Sequence, residues 1–138
     1  MAIPTTAFAH LRLTVTDIDA SRAFYDDLFA LPVAYELPAD ADDATRESLG
    51  FLYGGVIYWL GDSLLGLRPV AGDVFDEDRT GLDHVSFAVA DRGALDGAAA
   101  ELDARGIAHD GVKDIGPGYI LEFRDPDNIA LELFAPKA

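Results

Sequence analysis

Residues 8–34 read FAHLRLTVTDIDASRAFYDDLFALPVA, and residues 82–108 read LDHVSFAVADRGALDGAAAELDARGIA. An offset of 74 residues lays one on the other without a gap, placing His10 on His84, Asp17 on Asp91, Leu28 on Leu102 and Pro32 on Gly106. Self-similarity at a fixed period marks a chain built from repeated units. Both copies open with a period of two: Leu11, Leu13 and Val15 alternate with His10, Arg12 and Thr14, and Val85, Phe87 and Val89 with His84, Ser86 and Ala88. That is the pattern of a half-buried strand.

Each strand runs into a helix. Asp17 and Asp91 stand at the N-cap, where a carboxylate accepts hydrogen bonds from free backbone N–H groups. Ala20, Phe24 and Leu28 recur at helical spacing in the first helix, and Leu95, Ala99 and Leu102 in the second. Pro32 is expected to stop the first, and Gly106 to supply a left-handed end to the second. Residues 36–50 form an acidic loop or short helix. Residues 56–60 and 64–68 are strands around a Gly61-Asp62 turn. Residues 119–124 and 129–134 are strands around Asp125-Pro126-Asp127-Asn128.

The expected fold class is therefore α+β, with two βαβββ modules in tandem and mixed sheets curving around a central site. Residues 1–70 form the first module, 71–80 a polar linker, and 81–138 the second. Neither sheet would be stable alone.

Composition narrows the function. Twenty-five acids against ten Lys and Arg give a net charge of −15, which repels nucleic acid and anionic membranes. The acids read as a solvated surface. No apolar run approaches the ~20 residues of a membrane span. The N-terminus lacks the pattern of a secretion signal, so a cytoplasmic location is expected. With no cysteine, a metal would have to be held by His, Asp or Glu.

The strand parity singles out three such residues. If Leu11, Leu13 and Val15 face the helix, His10 faces the other way, and so does His84. Sheets related by a pseudo-twofold axis would bring the two histidines together. In the last strand Leu131 and Leu133 share one face, leaving Ala130, Glu132 and Phe134 on the other. A carboxylate buried without a partner costs several kcal/mol, so Glu132 calls for a cation. Two imidazoles and a carboxylate make a facial triad for a divalent metal. Glu132 lies five residues past Asp127, and Gly66 five past Gly61. Gly66 is thus the first module's counterpart of Glu132 and leaves coordination positions open.

The stretches HLRLTVTDIDASRAFY, DHVSFAVAD and FRDPDNIALELF resemble, in order and spacing, the vicinal oxygen chelate superfamily, which includes glyoxalase I, extradiol dioxygenases, fosfomycin resistance transferases and bleomycin resistance proteins. The resemblance covers nearly the whole chain. It implies metal ligation by His10, His84 and Glu132, a divalent ion such as Fe, Mn, Zn or Ni, a small oxygen-chelating substrate and a homodimer. Modules of the family pair within one chain or across two. Glyoxalase I carries a further glutamate where this chain has Gly66, which argues against lactoylglutathione lyase activity. The retained set looks more like the dioxygenase and fosfomycin-enzyme pattern, although the basic residues of fosfomycin enzymes after the last strand are absent.

Secondary candidates follow from parity. Glu122 is either a general base beside Glu132 or a partner for Arg12 or Arg124, and pairing is the favoured reading. Arg12, Tyr58, Arg68, Tyr119 and Phe134 are the candidate substrate-pocket residues, with Trp59 beside them; aromatic residues in strands are more often core, and Arg68 can equally snorkel to solvent. His109, outside the repeat, is expected to be an exposed loop residue. Two functions follow: a metal-dependent enzyme of isomerase, lyase, ring-cleaving or ring-opening type, or a metal-free protein that sequesters an antibiotic or metabolite.

Overall fold

The computed structural model describes residues 1–138, and the chain divides into two compact units, Met1–Asp73 and Val74–Ala138. In the first, β1 (His10–Thr14) leads into α1 (Ile18–Phe29) and β2 (Val33–Glu36). A short helix, α2 (Asp43–Ser48), and a 3₁₀ turn at Gly50–Leu52 precede the hairpin of β3 (Val56–Leu60) and β4 (Ser63–Arg68). The sheet order is β1-β4-β3-β2, with β1 parallel to β4 and the other pairs antiparallel.

The second unit repeats this plan. Its strands are β5 (Val85–Ala88), β6 (Lys113–Asp114), β7 (Gly118–Arg124) and β8 (Ala130–Pro136), with α3 (Arg92–Ala104) after β5. The order is β5-β8-β7-β6, again with one parallel pair, β5 and β8. Each unit is a βαβββ module, as the duplication implies.

Local chemistry explains the element ends. Asp17 Oδ1 accepts from the N–H groups of Asp19 and Ala20, and Asp91 Oδ1 from that of Ala94. Ala30 closes α1 in the left-handed region at φ 50, two residues before Pro32, and Gly106 follows α3 at φ 69. Gly61 takes φ 57 at the first position of the β3–β4 turn, as a two-residue hairpin requires. Asp125 ties the β7–β8 turn by accepting from the N–H groups of Asp127 and Ile129 at 2.9 and 2.8 Å.

The cores lie between sheet and helix. Leu13, Val15, Val56, Leu65 and Leu67 are buried in the first unit, and Phe87, Leu121, Phe123, Leu131 and Leu133 in the second, where Leu95 and Leu102 come from α3. Full burial of such a side chain is worth about 1.5–3 kcal/mol. Two expectations change. The fully buried residues of α1 are Ser21 and Tyr25, while Phe24 and Leu28 of the Ala20, Phe24 and Leu28 stripe are half-buried; the Tyr25 ring packs against those of Phe24 and Phe29, with centroids 5.1 and 5.9 Å away. Leu11, at the open end of β1, stays exposed.

Candidate functional site

In the second unit, β5 and β8 run parallel with Ser86 opposite Glu132. His84 sits one residue before β5 rather than within it, which leaves its ring free to turn toward β8. Its Nε2 lies 3.1 Å from Glu132 Oε2. Its Nδ1 lies 2.6 Å from Asp83 Oδ1, and Ser86 Oγ donates to Glu132 Oε1 at 3.0 Å. The Glu132 side chain is only 12% exposed, that of His84 44%. The Asp83 contact holds His84 above the ordinary imidazole pKa, the cost of burial opposes it, and the charge of Glu132 adds to the rise.

This pair fits a divalent cation. The two donors are a nitrogen and a carboxylate oxygen at near-contact, and each is oriented by a further group: a carboxylate on the distal nitrogen of His84 and a hydroxyl on the second oxygen of Glu132. Such outer partners fix ligating atoms and raise ligand basicity. Within neither unit does a set of three His, Asp or Glu side chains gather for a metal.

In the first unit His10 opens β1 opposite Leu64, and Arg12 stands opposite Gly66. His10, Leu11, Arg12, Tyr35, Phe51, Ile57, Leu64 and Gly66 line a cavity of ≈ 340 Å³. The Arg12 stem covers the place a side chain at position 66 would take: a Cβ there would lie 3.0 Å from Arg12 Cγ. Arg12 Nη2 donates to Phe51 O at 2.5 Å, while its Nε is buried without an acceptor.

Several expected pocket residues stand elsewhere. Tyr58 is 1% exposed and pairs in register with Leu65 on the helix side. Its hydroxyl donates to Asp26 Oδ1 at 2.5 Å, and burial, then the Asp26 carboxylate, push its pKa well up. Tyr58 is a core residue, whereas Trp59, beside Leu64 in register, shares the face of His10. Tyr119 shares the parity of Leu121 on the helix side, its ring held between Arg92 and Lys137 at 4.8 and 5.4 Å. Phe134 does share the face of Glu132, and its ring lies over Gly118. The Arg68 guanidinium stacks on Tyr53 at 4.3 Å.

Glu122 faces Glu132 directly across β7 and β8. It is paired, but with Lys113 Nζ at 3.3 Å rather than with Arg12 or Arg124; Arg124 holds Glu77 with both Nη atoms. His109 is not an exposed loop residue. Its side chain is 14% exposed, its Nε2 meets Asp103 Oδ1 at 2.7 Å and its Nδ1 accepts from Gly111 N. Asp83, Ser86 and Lys113 were missed as site residues. Asp83 adjoins His84 and Ser86 shares its parity, so both were readable from DHVS; Lys113, on a two-residue strand, gave no signal.

Comparison with known proteins places the chain. A glyoxylase/bleomycin resistance protein/dioxygenase domain from Frankia sp. EAN1pec is 30% identical, covers 97% of this chain and 94% of its own, and superposes with a TM-score of 0.76. A lactoylglutathione lyase from Agrobacterium tumefaciens (22% identity, 96% of each chain, TM-score 0.70) shares the fold. So does the genomically encoded fosfomycin resistance protein FosX from Listeria monocytogenes (19% identity, 97% and 96%, TM-score 0.70). Residues 7–133 match the family described as Glyoxalase/Bleomycin resistance protein/Dioxygenase superfamily, and the chain belongs to it.

Proposed function

We propose that the chain is a divalent-metal-dependent enzyme of glyoxalase or dioxygenase type, acting on a small oxygen-chelating substrate by isomerase, lyase, ring-cleaving or ring-opening chemistry. The observation that carries the reading is the His84–Glu132 contact at 3.1 Å, with each donor held by a further partner. His84 and Glu132 supply two ligands, and His10 the third, from the same chain or from a second copy in a homodimer. The superfamily typically uses a divalent metal, and Fe, Mn, Zn and Ni all suit these donors.

A bound divalent cation would supply Lewis-acid stabilisation of negative charge on substrate oxygens. The chain's own groups do the rest. Asp83 fixes the tautomer of His84, so that Nε2 presents its lone pair. Ser86 holds one oxygen of Glu132 and so aims the other. Glu122, in register with Glu132, is positioned to take up a proton, but its ion pair with Lys113 favours a paired acid first. Gly66 has no donor to add, and Arg12 covers its position, which argues against lactoylglutathione lyase activity.

Metal analysis of protein purified without chelator tests the reading. Near-stoichiometric metal, lost in each of His10→Ala, His84→Ala and Glu132→Ala while the variants stay folded, supports it. Metal-free protein, or metal that survives all three substitutions, sinks it. The rival is a metal-free sequestering protein, favoured by the largely apolar cavity beside His10; tight binding of an organic ligand with no metal present would establish that instead.

A further inference from the structure

Four of the ten basic side chains, Arg12, Arg46, Arg68 and Arg79, hold no carboxylate, and of these only Arg12 has a buried guanidinium nitrogen without a partner. Arg22, Arg92, Arg105, Lys113, Arg124 and Lys137 each hold a carboxylate within 4.0 Å. Arg12 holds none, in a chain with 25 acids against 10 bases. Its one hydrogen bond within the chain is to a neutral carbonyl, Phe51 O, and its Nε is buried without a partner. A guanidinium presents five N–H donors in a planar fork that matches a carboxylate. Leaving such donors unmet is costly, and a carboxylate satisfies them with charge-assisted bonds.

The surroundings specify the remainder of a ligand. Tyr35 and Phe51 meet edge to face, with centroids 6.2 Å apart at 73°, and Ile57 and Leu64 complete an apolar wall. At ≈ 340 Å³ the cavity lies at the small end of the ~300–1,000 Å³ range of ligand pockets. Gly66 sets the charge of this site. A glutamate at that position would collide with the Arg12 stem and place a carboxylate beside the guanidinium, neutralising it.

We propose that Arg12 is a specificity-determining residue and that this cavity selects a small aromatic monocarboxylate, its carboxylate accepting from the Arg12 fork and its ring against Tyr35 and Phe51. This rests on the reading of His10's sheet face as the ligand side, and it names the substrate class. The carboxylate accepts from guanidinium N–H groups of Arg12 that make no bond within the chain, and the rest of the ligand stays apolar.

Calorimetric titration of 3-phenylpropanoate and its neutral isostere 3-phenylpropanamide into the full chain tests it, in EDTA and again with added Mn(II). The acid is expected to bind wild type at least about tenfold more tightly than the amide. In Arg12→Gln that preference falls to within about twofold, with amide binding unchanged, and Arg12→Lys, which keeps the charge but not the fork, retains part of it. Equal binding of acid and amide to wild type, no binding of either at millimolar concentration, or a preference that survives Arg12→Gln overturns the inference. Thermal unfolding of both variants confirms that they are folded. Because the preference is read in EDTA, loss of the metal reading leaves it standing. Metal-loaded protein without the preference removes this inference alone.

Discussion

Gly66 lies opposite Arg12 across β1 and β4 in the register position that Glu132 holds opposite Ser86 across β5 and β8. One position thus carries a carboxylate in one module and nothing in the other, and the space goes to an arginine stem. A Cβ at Gly66 would also meet Ile57 Cγ1 at 3.3 Å. The contact with Arg12 is tighter, so relief should come mainly from the arginine.

Gly66→Ala is therefore expected to destabilise the chain by about 1 kcal/mol, within the range for overpacking. In an Arg12→Ala background the same change should cost clearly less, since its main collision partner is gone. Urea unfolding of the four proteins gives the coupling. An equal cost in both backgrounds would show that Arg12 does not occupy the space over Gly66.

Tyr58→Phe separates a core role from a pocket role. The hydroxyl bonds Asp26 at 2.5 Å, and Asp26 also holds Arg22 at 3.0 Å. Losing one such bond to a charged acceptor costs about 1.5–3 kcal/mol. Stability should fall by that order while metal content and ligand binding stay as in wild type. A variant of wild-type stability that binds ligand less well would return Tyr58 to the pocket.

What was legible follows from contrast along the chain. Leu131 and Leu133 flank Glu132 in β8, so parity placed Glu132 opposite the core, and counting five residues from each hairpin turn located Gly66. The capping aspartates are local chemistry that needs no tertiary context. By contrast VIYWL, residues 56–60, is apolar throughout, so alternation carries no sign of which face is inward. Only the register with Leu65 and Leu67 sends Tyr58 inward and Trp59 out. In α1 two candidate stripes lie one residue apart, and the full burial of Tyr25 beside half-buried Phe24 and Leu28 comes from packing that a helical spacing does not encode. The partner of Glu122 comes from β6, two residues long and without periodicity.

His109 offers a check on that last kind of contact. Its ring bridges Asp103, near the end of α3, to the Gly111 N–H, and its backbone bridges to Phe123 on β7. His109→Ala removes both side-chain bonds and leaves the Gly111 N–H without its acceptor, which should cost about 1–3 kcal/mol. Metal content should be unchanged, since the residue touches neither His84 nor Glu132. Guanidinium unfolding beside metal analysis separates the two effects, and a fall in metal content at wild-type stability would contradict this placement.

The pH response of His84 ties geometry to metal binding. Its folded pKa is raised above the ordinary value of ~6.5, first by the hydrogen bond with Asp83 and then by the charge of Glu132, against the cost of burial. In metal-free protein the protonated ring therefore adds stability that is fully present below the unfolded pKa. That contribution disappears as pH rises through the higher folded pKa. A metal needs the neutral ring, so its affinity should move the opposite way, tightening across the same rise. Proton NMR of the His84 ring should titrate above 6.5 in EDTA, and Asp83→Asn should bring the midpoint down while shifting the onset of metal binding to lower pH. A ring that titrates at or below the ordinary value, or one that Asp83→Asn leaves in place, would mean that Asp83 does not hold His84 in solution and that the orientation of Nε2 toward Glu132 has another cause.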